Sequence, residues 1–451
     1  MTPMVPLALL AFLPLTLVLF SLMRPTRAAV AALVLGTLFL PQAELSVEGF
    51  VDYGKAAATA LPILLATAWF APDRLRSFRP GWVDLPMALW CLVPAATSLA
   101  NNLGLWDALA GVVYHVRIWG LAWLVGRIYL RRLEDLRELA GGVIIGALLY
   151  LPFFLYELRM SPQLHRMVYG FHPSQFVHAV RYGGYRPMIF MPGGIDVAMW
   201  FGSALILALM FWRGGLRDRY GPLAMIGLVV VLAAATVLAK SVGVIMLTAA
   251  ALGLYASIRL GRTRIVLLIA VAAIPLYLGA RVADWHGEGL VDIIASQVDA
   301  TRAASLETRL DNEAEILEEK WGRAILGWGG WGRNLVSEGR GSVSITDSLW
   351  IIAFGKFGLI GLAAVFSVML LPLGRVLSRV RPDRLLRASA APALGLCLAT
   401  WMFAADKLVN AWPNPVFIAV MAGLATTAPA WQRAGARKIR KVVAVEPAPA
   451  S

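Results

Sequence analysis

The chain has 451 residues, of which 59% are hydrophobic and only 15% charged, and its mean hydropathy is +0.70. A soluble domain carries about 25% charged residues, so a polar shell cannot be built, and the apolar content equally excludes a disordered chain. The formal net charge is +14, but the basic residues fall in short clusters between apolar runs, which reads as membrane topology rather than nucleic-acid binding.

A helix needs about 20 mostly apolar residues to cross about 30 Å of hydrocarbon. Such runs lie at 4–23, 28–46, 56–72, 83–100, 105–126, 138–158, 193–213, 221–239, 241–258, 265–281, 348–373, 388–407 and 413–430. They predict an all-α polytopic integral membrane protein with about 12–14 transmembrane helices. Residues 4–23 have no basic n-region and no clear cleavage site, so they read as a first span rather than a signal peptide.

Basic clusters fall at Arg74–Arg79, Arg127–Arg137, Arg213–Arg219, Arg259–Arg264, Arg375–Arg387 and Arg433–Lys441. An even number of runs separates each cluster from the next, so all can be cytoplasmic together, with the extreme N-terminus outside. The chain then divides into N-terminal spans (1–158), a first long non-cytoplasmic loop (159–192), central spans (193–281), a second long loop containing a helix (282–347), C-terminal spans (348–430) and a basic, Pro/Ala-rich cytoplasmic tail (431–451), expected to be disordered. Loops of this length are usually functional. Within the second, residues 303–323 read as a surface-lying helix with Leu306, Leu310, Ile316 and Trp321 as its apolar positions. The following GWGGWGR ends it.

Cys91 and Cys397 both sit in apolar runs, without a CxxC or Cys/His cluster, so neither a disulfide framework nor a zinc site is expected. Phosphate-loop, GxSxG and HExxH motifs are absent. No metal or cofactor is indicated. What remains is a set of cations and one carboxylate on the non-cytoplasmic face. Arg181 and Arg186 sit in RYGGYRP, Lys240 occupies a short turn between two spans, Arg309 lies in the loop helix, and Asp347 stands just before the eleventh run. Arginine forks bind phosphate bidentately and keep their charge, and a nearby carboxylate can take a proton from an attacking hydroxyl. These parts suit group transfer from a polyprenyl-diphosphate donor.

Each residue also has a plainer reading. Arg181, Arg186 and Lys240 could snorkel to the interface. Asp347 could be a helix N-cap, and Arg309 could pair with Glu307, Glu313 or Glu315. His165, His172 and His178 read as loop residues. His115 and Arg117, inside the fifth run, are functional suspects by depth, whereas Asp406 and Lys407 read as a local charge pair.

Three features of the C-terminal half give a resemblance. A long external loop late in the chain is followed by a final group of spans. Arg309 and Trp321 precede Leu326-Gly327-Trp328-Gly329. At the loop exit, Asp347-Ser348 is followed by nine residues and then Gly358-x-x-Gly361. Over roughly residues 180–430 the chain resembles the O-antigen ligase and O-antigen polymerase (Wzy-like) superfamily of membrane glycosyltransferases. Ligases carry a His where this chain has Asp347.

The resemblance implies an all-helical protein of the bacterial inner membrane, with both long loops and the active site facing the periplasm. It implies an undecaprenyl-diphosphate-linked oligosaccharide as donor and a saccharide as acceptor, with no cofactor, metal or nucleic acid. Other polysaccharide export proteins are candidate partners besides the bilayer. By motif position, Arg186 and Arg309 would bind the diphosphate, assisted by Arg181 and Lys240. Asp347 would orient or deprotonate the acceptor hydroxyl. The expected activity is polymerisation or transfer of lipid-linked saccharide during surface polysaccharide biosynthesis. The alternatives are ligase-type transfer of a finished glycan to a lipid or protein, and, from another class, a lipid-linked oligosaccharide flippase or transporter.

Overall fold

A backbone inside hydrocarbon finds no water, so every N–H and C=O must be paired within the chain, and long apolar runs become helices. The computed structural model describes residues 2–46, 52–181, 183–216, 221–287, 289–297, 300–330, 332–335, 337–338, 342–343, 347–427 and 431. Of the predicted tail at 431–451, all but residue 431 lies outside these residues. Within them the regular secondary structure is helical apart from three two-stranded hairpins of two residues per strand.

Among the described residues, eight helices are long and apolar enough to cross a membrane. They are α1 (Met4–Leu22), α4 (Trp82–Ala100), α5 (Gly104–Tyr129), α6 (Leu133–Met160), α7 (Gly194–Gly214), α9 (Val242–Gly261), α10 (Ile265–Val282) and α12 (Leu349–Arg379). Five shorter apolar helices lie between or after them: α2 (Pro25–Phe39), α3 (Lys55–Phe70), α8 (Pro222–Leu238), α13 (Ala391–Asp406) and α14 (Pro415–Thr427). At 1.5 Å per residue these five span only about 20–26 Å. Every apolar run read from the sequence falls on one of the thirteen. The polar helix α11 (Ala300–Lys320) belongs to the second long loop.

Helices α7 and α13 form the centre, buried along nearly their whole length. Small residues such as Gly202, Ser203 and Ala204 let neighbouring helices approach α7 closely. The outer helices α1, α8 and α10 leave Leu10, Leu223 and Leu276 exposed. Apolar faces of that size suit contact with lipid.

The basic clusters at 74–79, 127–137, 259–264 and 375–387 share one end of the bundle. Arg127 pairs with Asp84 at 2.6 Å and donates to the Arg79 carbonyl. Arg131 donates to Ser77, Arg264 to the carbonyl of Val380, and Arg375 stacks on Trp82 at 4.6 Å. The opposite end carries the two long loops. There Tyr169 donates to the carbonyl of Phe39, Lys55 to that of Phe190, and the Glu157 carboxylate accepts the N–H groups of Leu164, Met188 and Ile189. The first loop contains a short helix, Leu164–Tyr169, and the hairpin pairing Val180–Arg181 with Gly184–Tyr185. His165, read from sequence as a loop residue, is therefore a buried helical one.

Candidate functional site

The second loop is fastened to the bundle by a buried carboxylate. On α11, Leu310, Ile316 and Leu317 face inward, while Trp321, expected on that face, is 49% exposed beyond the helix end. Glu313 shares the inward side. It accepts from the Ser348 hydroxyl at 2.7 Å and the Trp350 indole at 3.0 Å, and lies 3.5 Å from the Arg281 guanidinium. Arg281, 1% exposed, also donates to the carbonyls of Leu310 and Trp285. Glu313 thus ties the last turn of α10 to the first turn of α12 and closes the loop at its base. Burial pushes its carboxyl above the usual range, opposed by Ser348, Arg281 and Trp350.

Arg309 lies one turn earlier on the same helix. It pairs with Asp347 at 3.6 Å, with side chains 44% and 55% exposed, and donates to the carbonyl of Val409 at 3.4 Å. An exposed pair of this kind contributes about 0–1 kcal/mol, so both groups stay open to a ligand. Asp347 is not the N-cap of α12. Ser348 holds that position, and its hydroxyl turns to Glu313 instead of capping. The Leu349 N–H donates to the carbonyls of Lys407 and Asn410, so the turn after α13 closes this helix end.

Arg186 follows the hairpin of the first loop. Its backbone N–H donates to the carbonyl of Ala179, and its guanidinium donates to the Ser241 hydroxyl at 3.0 Å. The Nε is buried without a partner. Burial and the neighbouring Arg181 charge lower its pKa to about 10, against the pull of Asp196 and Asp406. Gly194 makes room for it, since a Cβ there would lie 2.5 Å from the Arg186 Cγ. Lys240 adopts a left-handed φ of 53° in its turn, and its ammonium donates to the Arg181 carbonyl at 3.3 Å. Arg181, Arg186 and Lys240 are therefore one cationic group around Ser241.

The turn 406–410 bridges the two groups. Asp406 and Lys407 form the expected charge pair, at 2.8 Å, and both are buried. Asn410 donates to the other Asp406 oxygen at 2.7 Å. On one side Asp406 acts electrostatically on Arg186, and on the other the Val409 carbonyl receives Arg309. Asp196, at the start of α7, interacts with Lys407, Asp406 and Arg186 together. The five residues singled out in the sequence thus occupy one end of the bundle, in two groups joined by this turn.

Asp196 and Glu313 were not singled out. Asp196 carried a usable signal, an acid inside an apolar run. Glu313 carried none, because α11 is rich in acids and only the fold selects which one is buried. His115, a suspect by depth, is buried with its ring against Trp90 and Phe357 and its Nδ1 at 2.7 Å from the Trp90 carbonyl.

The two glycine motifs meet each other. At Gly358 the helix α12 is interrupted, with φ 63° and ψ −161°. The interruption frees backbone groups that residues 324–329 re-pair. Trp328 and Gly329 donate to the carbonyls of Gly355 and Lys356, and Leu359 and Ile360 donate to those of Ala324 and Ile325. Thr97 and Asn101 of α4 anchor the same segment through the carbonyls of Leu326 and Gly327. Among the described residues no cluster of His, Cys, Asp and Glu is arranged to hold a metal ion. No protein-family model matches the chain, and no curated protein matches it.

Proposed function

We propose that this chain is a metal-independent membrane glycosyltransferase that polymerises or transfers polyprenyl-diphosphate-linked saccharide during surface or exopolysaccharide biosynthesis. One observation carries the reading: the cationic group of Arg181, Arg186 and Lys240 and the open Arg309–Asp347 pair flank a single turn at one end of an apolar helical bundle. The arginines would hold the diphosphate and stabilise its charge as it leaves. The acceptor hydroxyl would attack the anomeric carbon as the bond to the diphosphate oxygen breaks, and Asp347 would take the hydroxyl proton. The finer topology belongs to the same proposal: thirteen spans in the bacterial inner membrane, arginine clusters in the cytoplasm, and the two long loops with the site in the periplasm. The donor is an undecaprenyl-diphosphate-linked oligosaccharide and the acceptor a saccharide.

The test is deletion of the gene in its host, with extraction of surface glycan and lipid-linked oligosaccharide. Complementation uses wild type, Arg309→Ala and Asp347→Asn. Single repeats accumulating on the lipid carrier, with loss of long glycan, support polymerisation. Finished chains held on the carrier mark ligase-type transfer. Repeats trapped on the cytoplasmic face mark a flippase, and unchanged glycan pools refute the proposal.

A further inference from the structure

Beside the cationic group lies a cavity of about 460 Å³, within the range of small-molecule sites. Glu44, Lys55, Tyr114, Arg117, Asp196 and Trp412 are among its lining residues. These contribute two cations and two acids, so they are formally neutral. The cations are already engaged. Lys55 donates to the Phe190 carbonyl at 2.7 Å, while Arg117 pairs with Glu44 at 3.2 Å and donates to the Asp52 carbonyl. One acceptor is not engaged: the Oδ2 of Asp196 is buried without a hydrogen-bond partner. A carboxylate only accepts. An ionised carboxylate or a phosphodiester has no proton to give it at neutral pH, whereas a hydroxyl does. Trp412 and Tyr114 are 52% and 50% exposed. Their aromatic faces beside polar groups match a sugar ring, which has apolar C–H faces and a hydroxylated edge.

We propose that this cavity binds a neutral saccharide, separately from the phosphate-binding group at Arg186. The inference takes its ligand class from the proposed glycan chemistry. Asp196 lines the cavity and is the carboxylate that faces it with a free acceptor.

The test uses the full chain in lipid nanodiscs, which carry no sugar headgroup. Saturation-transfer NMR is recorded against methyl glycosides of glucose, galactose, mannose and rhamnose, and inorganic pyrophosphate is titrated separately. At least one glycoside should receive saturation. Trp412→Ala should weaken that binding about two- to tenfold, the range for a lost aromatic contact, and leave pyrophosphate binding unchanged. Arg186→Ala should weaken pyrophosphate and spare the sugar. Asp196→Asn should weaken the sugar as well. Trp412 is exposed, so its variant tests the cavity even if the Asp196 variant misfolds. Transfer to no glycoside, equal transfer in the Trp412 variant, or competition between pyrophosphate and sugar overturns the proposal. If the sugar binds as expected but glycan pools are unchanged by Arg309→Ala and Asp347→Asn, the transferase reading fails and the cavity assignment stands.

Discussion

Asp347 is half in solvent and its cationic partner is 3.6 Å away. If it accepts the acceptor proton, Asp347→Asn keeps the shape and removes the base. The expected loss of transfer rate is about 10²–10⁴-fold, with little change in thermal stability because an exposed pair contributes so little. Turnover of extracted lipid-linked donor, set against the thermal midpoint of the same preparation, checks this; equal losses in both would assign Asp347 to folding alone. His165 makes the opposite kind of prediction. Its Nε2 accepts the Gln42 N–H at 3.1 Å, so Nδ1 carries the proton and donates to the Phe171 carbonyl at 2.8 Å. Burial, helped by Lys55 and His172, lowers its pKa to about 4 against the Phe171 carbonyl. The unfolded imidazole titrates near 6.5. Between the two values the unfolded state binds the extra proton, so the contribution to stability is complete above about pH 6.5 and is lost as pH falls toward 4. Thermal midpoints recorded from pH 7.5 to 4.5 should fall more steeply for wild type than for His165→Gln. Parallel curves would mean that another group controls acid sensitivity.

Helix α12 shows how an element can be readable in extent and unreadable in shape. Its apolar run and its Gly358-x-x-Gly361 spacing are visible in the sequence, but periodicity predicts a continuous helix. The conformation at Gly358, with φ 63° and ψ −161°, is one that essentially only glycine adopts. It becomes affordable because residues 324–329 satisfy the freed backbone groups, and that pairing joins segments about 30 residues apart. No local pattern announces it. Gly327 completes the fit, with φ 71° and no room for a Cβ against the backbone of Lys356. Gly358→Ala should therefore cost about 1–3 kcal/mol in backbone strain, plus the clash with the Ile325 carbonyl. The measurement is the thermal midpoint together with trypsin cleavage at Lys320 and Arg323, which should accelerate if the 324–329 segment detaches. An unchanged midpoint would mean that α12 straightens without penalty. The candidate site divides in the same way. Arg186 and Asp347 stood out because they border apolar runs, and Arg309 because it lies in the loop helix ahead of Trp321 and the LGWG segment. Asp196, the Asp406–Lys407 turn and Glu313 acquire their roles only when α7, α11, α12 and α13 meet.

Across the whole molecule, polarity along the bundle axis organises everything else. Arginines from clusters far apart in sequence, around residues 79, 131, 264 and 375, make their contacts at one end. The long loops and the cation–acid groups occupy the other. The spacing of the clusters by even numbers of spans requires this arrangement, and the contacts agree with it without fixing which compartment each end faces. Under the proposed topology, the positive-inside preference would place the arginine end in the cytoplasm. Both native cysteines, Cys91 and Cys397, are buried, which leaves a low background for introduced thiols. Met167, 62% exposed, marks the loop end, and Asp73 and Ser389, both exposed, mark the arginine end. In spheroplasts, a membrane-impermeant maleimide should label Met167→Cys at once. It should label Asp73→Cys and Ser389→Cys only after lysis. Inverted labelling would turn the site toward the cytoplasm, where a periplasmic transferase cannot work. Opposite behaviour of the two arginine-end thiols would break the common end itself, because α3 and α13 would then cross in a different sense from the one their contacts require.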